Sequence, residues 1–190
     1  MKEQPLILAS QSPRRAALLK QIGFSFEQVH SNADEKIIST KTPEENVQEI
    51  ALQKARVVVE KFTQGIIIGA DTIVCIDGNI LGKPKTSDEA IMMLESLSGR
   101  THTVFTGFAL LNASTKKEYV DYEKTEVTFR ALREKEIQEY VASGSPMDKA
   151  GAYGIQDDFG AVFVEKICGC YYNVVGFPLA KFYIALEKFI

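Results

Sequence analysis

The chain has 190 residues, of which 45% are hydrophobic and 25% charged, as in folded globular proteins and unlike disordered or fibrous chains. Its formal net charge is −3, which argues against a general nucleic-acid-binding surface, because such surfaces carry a basic excess. The apolar stretch from Ile66 to Ile76 is interrupted by Asp71 and is far shorter than the ~20 residues of a membrane span. We therefore expect neither a nucleic-acid nor a membrane partner.

The N-terminus and the cysteines indicate a cellular location. Residues 1–5 lead directly into a strand-like segment, without the long apolar region and cleavage site of a signal peptide. Cys75, Cys168 and Cys170 are odd in number and form neither a disulfide framework nor a CxxC motif. We predict reduced thiols and a cytoplasmic protein.

The first part of the chain alternates strand and helix patterns. Leu6 to Ala9 is typical of a short buried strand, and Ser12-Pro13 begins a helix that runs to Ile22. A second helix begins at Thr42-Pro43 with a capping box and should reach about Phe62.

A hairpin and a third helix follow. The buried strand from Ile66 to Ile76 turns at Asp77-Gly78, a strong hairpin signal, and returns through Ile80-Leu81. Ser87 begins a helix that ends at Gly99.

The remaining chain predicts antiparallel strands and two more helices. The strands are expected at Thr101 to Leu111, Glu118 to Phe129 and Ala161 to Ile167, and the helices at Glu134 to Ser143 and Pro178 to Phe189. The pattern predicts a single α/β domain over residues 1–190, with a mixed β-sheet and flanking helices.

Two arginines at the start of the first helix break a local rule. A helix N-terminus carries a partial positive charge and favours acidic residues, yet the turn from Ser10 to Pro13 leads into Arg14 and Arg15. Backbone N–H groups and two guanidinium groups can together bind a phosphate. Two solvated arginines at a surface helix end are the alternative.

Two further charges fall where the pattern predicts burial. Lys54 lies on the apolar stripe of the second helix, and Asp71 lies inside the apolar strand. A buried carboxylate needs a cation, a metal or hydrogen-bond donors. Each residue also has a plain structural explanation, because a lysine can reach water past apolar neighbours and an aspartate can bond to a neighbouring loop.

The other candidate groups lie in loops. Lys83 stands between Gly82 and Pro84, which suits a positive charge at the rim of a pocket, and the glycine-rich loop Asp148 to Gln156 can bring a base close to the backbone while Gln156 binds its edge. Most such loops are simple turns.

The cations Arg14, Arg15, Lys54 and Lys83, with the acidic residues Glu35 and Asp71, suit a nucleoside triphosphate and a divalent metal. The chain lacks GxxxxGK[ST] and GxGxxG motifs.

Five segments now form a pattern that covers nearly the whole chain. They are Leu8-Ala9-Ser10-Gln11-Ser12-Pro13-Arg14-Arg15, Gly69-Ala70-Asp71-Thr72, Gly82-Lys83-Pro84, Ser98-Gly99-Arg100-Thr101-His102 and Asp148-Lys149-Ala150-Gly151-Ala152-Tyr153-Gly154-Ile155-Gln156. In this order they resemble the Maf family of nucleotide pyrophosphatases. The resemblance implies a fold similar to the inosine triphosphate pyrophosphatases, with a long twisted mixed sheet, flanking helices, and a central cleft between two lobes.

The resemblance also implies an activity and its residues. The family cleaves between the α and β phosphates, giving a nucleoside monophosphate and pyrophosphate. Ser10, Arg14 and Arg15 match its phosphate-binding signature, and Lys54 and Lys83 match lysines that grip the triphosphate.

The acidic residues match a base and a metal site. Asp71 corresponds to the proton acceptor that activates the attacking water, and Glu35 to an acidic residue of the metal site. The resemblance thus implies Asp71, Lys54 and Lys83 as the catalytic set, and Mg²⁺ or Mn²⁺ held by Asp71 and Glu35 as the cofactor.

Substrate preference is implied by three positions. Arg14, Thr72 and Gln156 match the branch of the family that acts on dTTP and UTP, rather than the branch that acts on 7-methyl-GTP. CTP and modified pyrimidine nucleotides are further candidates. The segment Asp157-Asp158-Phe159 before Gly160 departs from the family pattern and makes the loop one residue longer than in many members.

A non-catalytic nucleotide-binding regulator of cell division and septum formation is the alternative function, since such a sensor could keep every cation. The intact Asp71 and Lys83 favour the enzyme. The expected partner is a small-molecule nucleoside triphosphate, and a homodimer is the commonest default assembly.

Overall fold

The computed structural model describes residues 4–156 and 158–190. Within these residues the chain forms seven strands: β1 (Leu6–Ala9), β2 (Phe26–Gln28), β3 (Ile66–Ile76), β4 (Asn79–Leu81), β5 (Thr101–Asn112), β6 (Glu118–Phe129) and β7 (Val164–Cys168). They form one sheet in the order β2-β1-β3-β5-β6-β7, with β4 paired to β3. β1 runs parallel to β2 and β3, whereas the β3–β4 and β6–β7 pairs are antiparallel. The predicted mixed α/β sheet is therefore confirmed.

Helices flank these strands. They are α1 (Pro13–Gln21), α2 (Pro43–Val59), α3 (Ser87–Leu97), α4 (Glu134–Ala142), α5 (Tyr171–Val175) and α6 (Leu179–Phe189), with 3₁₀ segments at Ser145–Asp148, Ala150–Ala152 and Asp158–Phe163. The predicted capping box is present, because Thr42 accepts a hydrogen bond from the Glu45 N–H and the Glu45 side chain accepts one from the Thr42 N–H. In the part of the chain that the structure describes, no helix is long and apolar enough to cross a membrane.

One predicted strand is wrong over its first residues. The segment Asp158–Phe163 is a 3₁₀ segment, and β7 begins only at Val164. Val164 pairs with Phe129, the last residue of β6, so the residues before it have no strand to pair with. The Arg130 N–H instead bonds to the Phe163 carbonyl, and the Arg130 guanidinium to the Val162 carbonyl. The short elements β2 and α5 were not predicted, and α2 ends at Val59 rather than near Phe62.

The chain forms two compact units, and the first comprises residues 4–72, 106–123 and 176–190 of the described chain. In this unit α2 lies directly on the sheet, because two strand residues have no side chain. A Cβ atom at Gly69 would lie 2.0 Å from the carbonyl oxygen of Ala51, and one at Gly107 would lie 2.4 Å from that of Val47. These two glycines therefore set the depth at which α2, and with it Lys54, lies on the sheet.

The second unit comprises residues 73–105, 124–156 and 158–175 of the described chain. Its core gathers apolar residues of α3, α4, β5, β6, the glycine-rich loop and the 3₁₀ segment before β7, among them Leu94, Val104, Phe129, Ile137, Tyr153 and Phe163. The predicted hairpin is present, with Asp77 at φ 51° and Gly78 at φ 78°. The prediction of one domain over residues 1–190 with a central cleft stays a prediction.

Candidate active site

The turn between β1 and α1 is organised around two serine hydroxyls. Ser12 caps α1 by accepting a hydrogen bond from the Arg15 N–H. Ser10, which is buried, accepts hydrogen bonds from the Ser12 N–H and from Arg15 Nη1, both at 3.2 Å. No acidic residue lies in the first turn of α1. The positive end of this helix is therefore available to an anion.

Arg15 is a buried brace of this turn. The residue is 8% exposed, and its Nε and Nη2 donate to the Gly176 carbonyl and to Thr72 Oγ1, both at 3.0 Å. Burial lowers the pKa of Arg15, while the nearby Asp71 and Glu35 act in the opposite direction. Arg15 thus fixes Ser10, Thr72 and the chain at Gly176, and its predicted role in phosphate binding stays a prediction. Arg14 is half-buried at the preceding position of α1.

The Thr72 hydroxyl lies among three polar partners. Its Oγ1 accepts a hydrogen bond from Arg15 and lies 2.9 Å from Thr106 Oγ1, where either hydroxyl can be the donor, and 3.4 Å from the Gly176 carbonyl. Thr106 is fully buried on β5. Sequence reasoning missed Thr106 and Gly176, although a threonine within an apolar strand and a glycine two residues before Pro178 were available signals.

Lys54 and Asp71 form a buried ion pair. Lys54 Nζ lies 2.7 Å from Asp71 Oδ1 and 3.0 Å from Glu35 Oε1, and it also donates to the Ala70 carbonyl. Lys54 is 4% exposed and Asp71 is 7% exposed. Lys54 therefore does not extend to water past its apolar neighbours, and Asp71 finds its cation on α2 rather than a simple loop contact. Two carboxylates meet at one ammonium group.

A buried asparagine fixes the chain segment that follows Glu35. The Asn46 side chain on α2 accepts a hydrogen bond from the Ile38 N–H and donates to the carbonyls of Ile38 and Thr42. Asn46 is 1% exposed. The segment between Glu35 and the start of α2 is thereby closed into a loop. An asparagine four residues after a helix cap was the available signal, and sequence reasoning missed it.

Lys83 and Gln156 belong to the second unit. Lys83 is exposed and Gln156 is half-buried. The Gly151 N–H donates to the Gly82 carbonyl at 3.0 Å, which ties the glycine-rich loop to the residue before Lys83. The predicted extra loop residue falls at Asp157-Asp158-Phe159, where Asp157 and the Asp158 side chain lie outside what the structure describes.

The structure thus brings the predicted residues together in two groups. Ser10, Arg14, Arg15, Glu35, Lys54, Asp71 and Thr72 belong to the first unit, and Lys83 and Gln156 to the second. The cations and carboxylates gathered where β1 and β3 meet α1 and α2 are chemically suited to binding a small polyanion.

Comparison with known proteins identifies the family. The chain belongs to the family described as Maf-like protein, whose sequence profile matches residues 5–189. A dTTP/UTP pyrophosphatase of Bacillus pumilus (strain SAFR-032) is 50% identical over 184 residues, covering 97% of this chain and 96% of its own. Proteins of the same name from Chlorobium phaeovibrioides (strain DSM 265 / 1930) and Geobacillus sp. (strain WCH70) are 47% and 51% identical. The former alignment covers 97% of this chain and 96% of the relative, and the latter covers 93% of each.

Similarity to solved structures is weaker. A nucleoside-triphosphatase / dITP/XTP pyrophosphatase from Mycobacterium abscessus aligns over 66% of this chain and 74% of its own, with 17% identity and a TM-score of 0.44. A likeness of this size carries no argument about the site.

Proposed function

We propose that this protein is a nucleoside triphosphate pyrophosphatase that hydrolyses dTTP and UTP to the nucleoside monophosphate and pyrophosphate. The observation that carries the proposal is the buried Asp71, held by Lys54 Nζ at 2.7 Å in β3 beside the anchored Thr72. The full-length similarity to proteins named dTTP/UTP pyrophosphatase supports this substrate class. CTP and modified pyrimidine nucleotides are further candidates for the same site.

Asp71 acts as the general base. Its carboxylate takes a proton from water as the water oxygen forms a bond to the α phosphorus, and the bond from that phosphorus to the bridging oxygen of the β phosphate breaks. Pyrophosphate leaves with the bonding electron pair. Lys54 orients the carboxylate and adds positive charge where negative charge develops, and a buried, preorganised cation is effective in that role.

The other cations bind the phosphates. Arg14 and the N–H groups at the start of α1 bind the phosphate chain, with Ser10 and Arg15 contributing to the same signature. Lys83, exposed next to the anchored Gly82, binds the departing pyrophosphate as a point charge. Arg14, Thr72 and Gln156 select the pyrimidine base.

Asp71 and Glu35 are the residues that would hold Mg²⁺ or Mn²⁺. Their carboxylates fit such an ion, because both lie within hydrogen-bonding distance of one ammonium group, and Mg²⁺ is commonly held by one or two carboxylates together with substrate phosphates. The residues described contain no group of three His, Cys, Asp or Glu side chains that could hold a metal by themselves. When bound, the ion would neutralise negative charge on the phosphates.

The test is pyrophosphate release from a panel of dTTP, UTP, CTP, dATP, GTP and 7-methyl-GTP, with wild type and Asp71→Asn. We expect wild type to prefer dTTP and UTP, to lose activity in EDTA and to regain it with Mg²⁺ or Mn²⁺. Asp71→Asn should lower kcat by about 10²- to 10⁴-fold, the usual contribution of a general base. Asp121→Asn, a half-buried carboxylate of the same unit that pairs with Lys181, is the control and should keep wild-type activity.

Three results would contradict the proposal. Wild-type activity in Asp71→Asn would remove the base assignment, and a preference for 7-methyl-GTP would remove the substrate assignment. Nucleotide binding without pyrophosphate release would favour the regulatory alternative. The predicted homodimer and cytoplasmic location stay predictions, of which the first is tested by light scattering.

A further inference from the structure

A buried histidine and a buried tyrosine, neither of which has a role in the proposed reaction, join two of the sequence motifs. His102 on β5 is 2% exposed, and Tyr153 in the glycine-rich loop is 6% exposed. His102 Nε2 lies 2.8 Å from the Tyr153 hydroxyl. The two rings meet edge to face with centroids 5.3 Å apart, and Phe129 packs edge to face against both. The pair is thus fixed by packing as well as by a hydrogen bond.

His102 is suited to a structural link and unsuited to proton transfer with substrate. Burial lowers its pKa to about 4, so the ring is neutral at physiological pH. Its Nδ1 is buried and has no hydrogen-bond partner among residues 4–156 and 158–190. A neutral imidazole has one donor and one acceptor nitrogen, and the bond to Tyr153 uses the one at Nε2.

The loop that ends in Tyr153 has a strained backbone. Gly151 and Ala152 both have positive φ, of 69° and 60°. Ala152 is fully buried, and a Cβ atom at Gly151 would lie 2.9 Å from the Val74 side chain. A non-glycine residue in the left-handed region persists only where its surroundings hold it there. Contacts on both sides of Ala152 must therefore maintain this conformation.

Two of those contacts are visible. On one side the Gly151 N–H donates to the Gly82 carbonyl, next to Lys83. On the other side the Tyr153 hydroxyl is hydrogen-bonded to His102. Tyr153 itself lies three residues before Gln156. The loop is thereby pinned between the segment that carries Lys83 and strand β5.

We propose that His102 is a positioning residue for base selection, which acts by holding Tyr153 and with it the course of the chain to Gln156. This inference rests on the proposed function, in which Gln156 binds the base. His102 itself touches no substrate in this account. Loss of the bond frees the strained loop, so the base-binding amide is held less well while Asp71 and Lys54 are unaffected.

The test compares kcat and KM for dTTP and for dATP in wild type, Tyr153→Phe, His102→Phe and the double variant. Tyr153→Phe keeps the ring and removes only the hydroxyl. The ratio of kcat/KM for dTTP to that for dATP is independent of the folded fraction, because both substrates meet the same molecules. We expect each single variant to lower this ratio by about tenfold, the usual size of a lost buried hydrogen bond, mainly through KM for dTTP. The double variant should be no worse than either single variant.

Val141→Ala is the matched control. It removes buried hydrocarbon from the same core on α4, so it lowers stability without touching the link. Its dTTP to dATP ratio should remain that of wild type. A wild-type ratio in Tyr153→Phe would overturn the inference, whereas a wild type that releases no pyrophosphate would overturn the proposed function instead.

Hydrogen exchange provides a second readout that needs no activity. Amides of residues 150–156 should exchange faster in Tyr153→Phe than in wild type, while those of α4 keep their protection. Val141→Ala should show the reverse pattern. Unchanged protection of residues 150–156 in Tyr153→Phe would overturn the inference whatever the enzyme does with nucleotides.

Discussion

At the scale of single residues, the site depends on charges that the fold has removed from water. Lys54 and Asp71 are each more than nine-tenths buried, and each is tolerated because the other is 2.7 Å away. Removal of one partner leaves the other charge buried without its partner, which lowers stability. Removal of both leaves no such charge. The pair therefore couples the stability of the first unit to the chemistry proposed for it.

Lys54→Met tests this coupling. We expect it to lower the free energy of unfolding by about 3–5 kcal/mol, because the buried Asp71 carboxylate loses the ammonium partner that lies 2.7 Å away. Lys54→Met combined with Asp71→Asn should be more stable than Lys54→Met alone. Urea denaturation measures both. Equal losses in the single and the double variant would show that Asp71 does not depend on Lys54.

At the scale of elements, the central feature is the close approach of α2 to the sheet. Gly69 and Gly107 lack the side chains that would hold the helix away, and Lys54 lies on the turn of α2 that follows Ala51. The distance between Lys54 and Asp71 is thus set by two residues that take no part in binding. Small residues in β3 are needed for helix packing as well as for access by a ligand.

Gly69→Ala should displace α2. Its Cβ would lie 2.0 Å from the Ala51 carbonyl oxygen, a main-chain atom that cannot rotate aside. We expect the free energy of unfolding to fall by about 3 kcal/mol, at the upper end for overpacking. The rate of pyrophosphate release should fall by about 100-fold, because catalysis is sensitive to displacements of about 1 Å.

The control for this change is Gly78→Ala in the β3–β4 turn. Gly78 has φ 78° and no neighbouring atom within 4 Å of the added Cβ, so only the left-handed backbone conformation is penalised, by about 1 kcal/mol. Activity should be retained. A Gly69→Ala protein as stable and as active as Gly78→Ala would contradict the packing argument.

At the scale of the whole molecule, the net charge of −3 describes the surface and not the site. Most acidic residues are exposed or half-buried, whereas Arg15 and Lys54 are buried within the first unit. A slightly acidic net charge is therefore compatible with a local site for a small polyanion. The free energy of unfolding, in contrast, depends on buried groups whose pKa changes when unfolding exposes them to water.

His102 makes stability depend on pH in mildly acidic solution. Its pKa is about 4 when folded, because burial disfavours the charged ring, and 6.5 is its ordinary value. Between these values the unfolded chain binds a proton that the folded chain does not. The free energy of unfolding should therefore fall as pH falls from 6.5 to 4, by about 3 kcal/mol in total.

Urea denaturation of wild type and His102→Phe from pH 7 to pH 4 measures this effect. Carboxylates titrate in both proteins and cancel in the difference. The stability of the variant relative to wild type should rise as pH falls through this range. Parallel pH profiles would contradict the assignment of the effect to His102.

Local signals in the sequence predicted most elements well. The capping box at Thr42 and Glu45 and the turn at Asp77-Gly78 depend on neighbours a few residues apart, so the sequence contains the whole interaction. The predicted strand at Ala161 was wrong because a strand also needs a partner, and β6 ends at Phe129. Apolar composition alone does not report where the partner strand stops.

The sequence by itself determined the motifs by which the chain resembles the Maf family, the mixed α/β class and the identity of the charged residues. Only the tertiary structure decided their partners, because these contacts join distant parts of the chain: Lys54 with Asp71, Thr72 with Thr106, Arg15 with Gly176 and His102 with Tyr153. Periodicity reports that a position faces the core, since burial follows the repeat of the helix or strand. Which side chain it meets there depends on how the strands are ordered and how closely α2 packs on them.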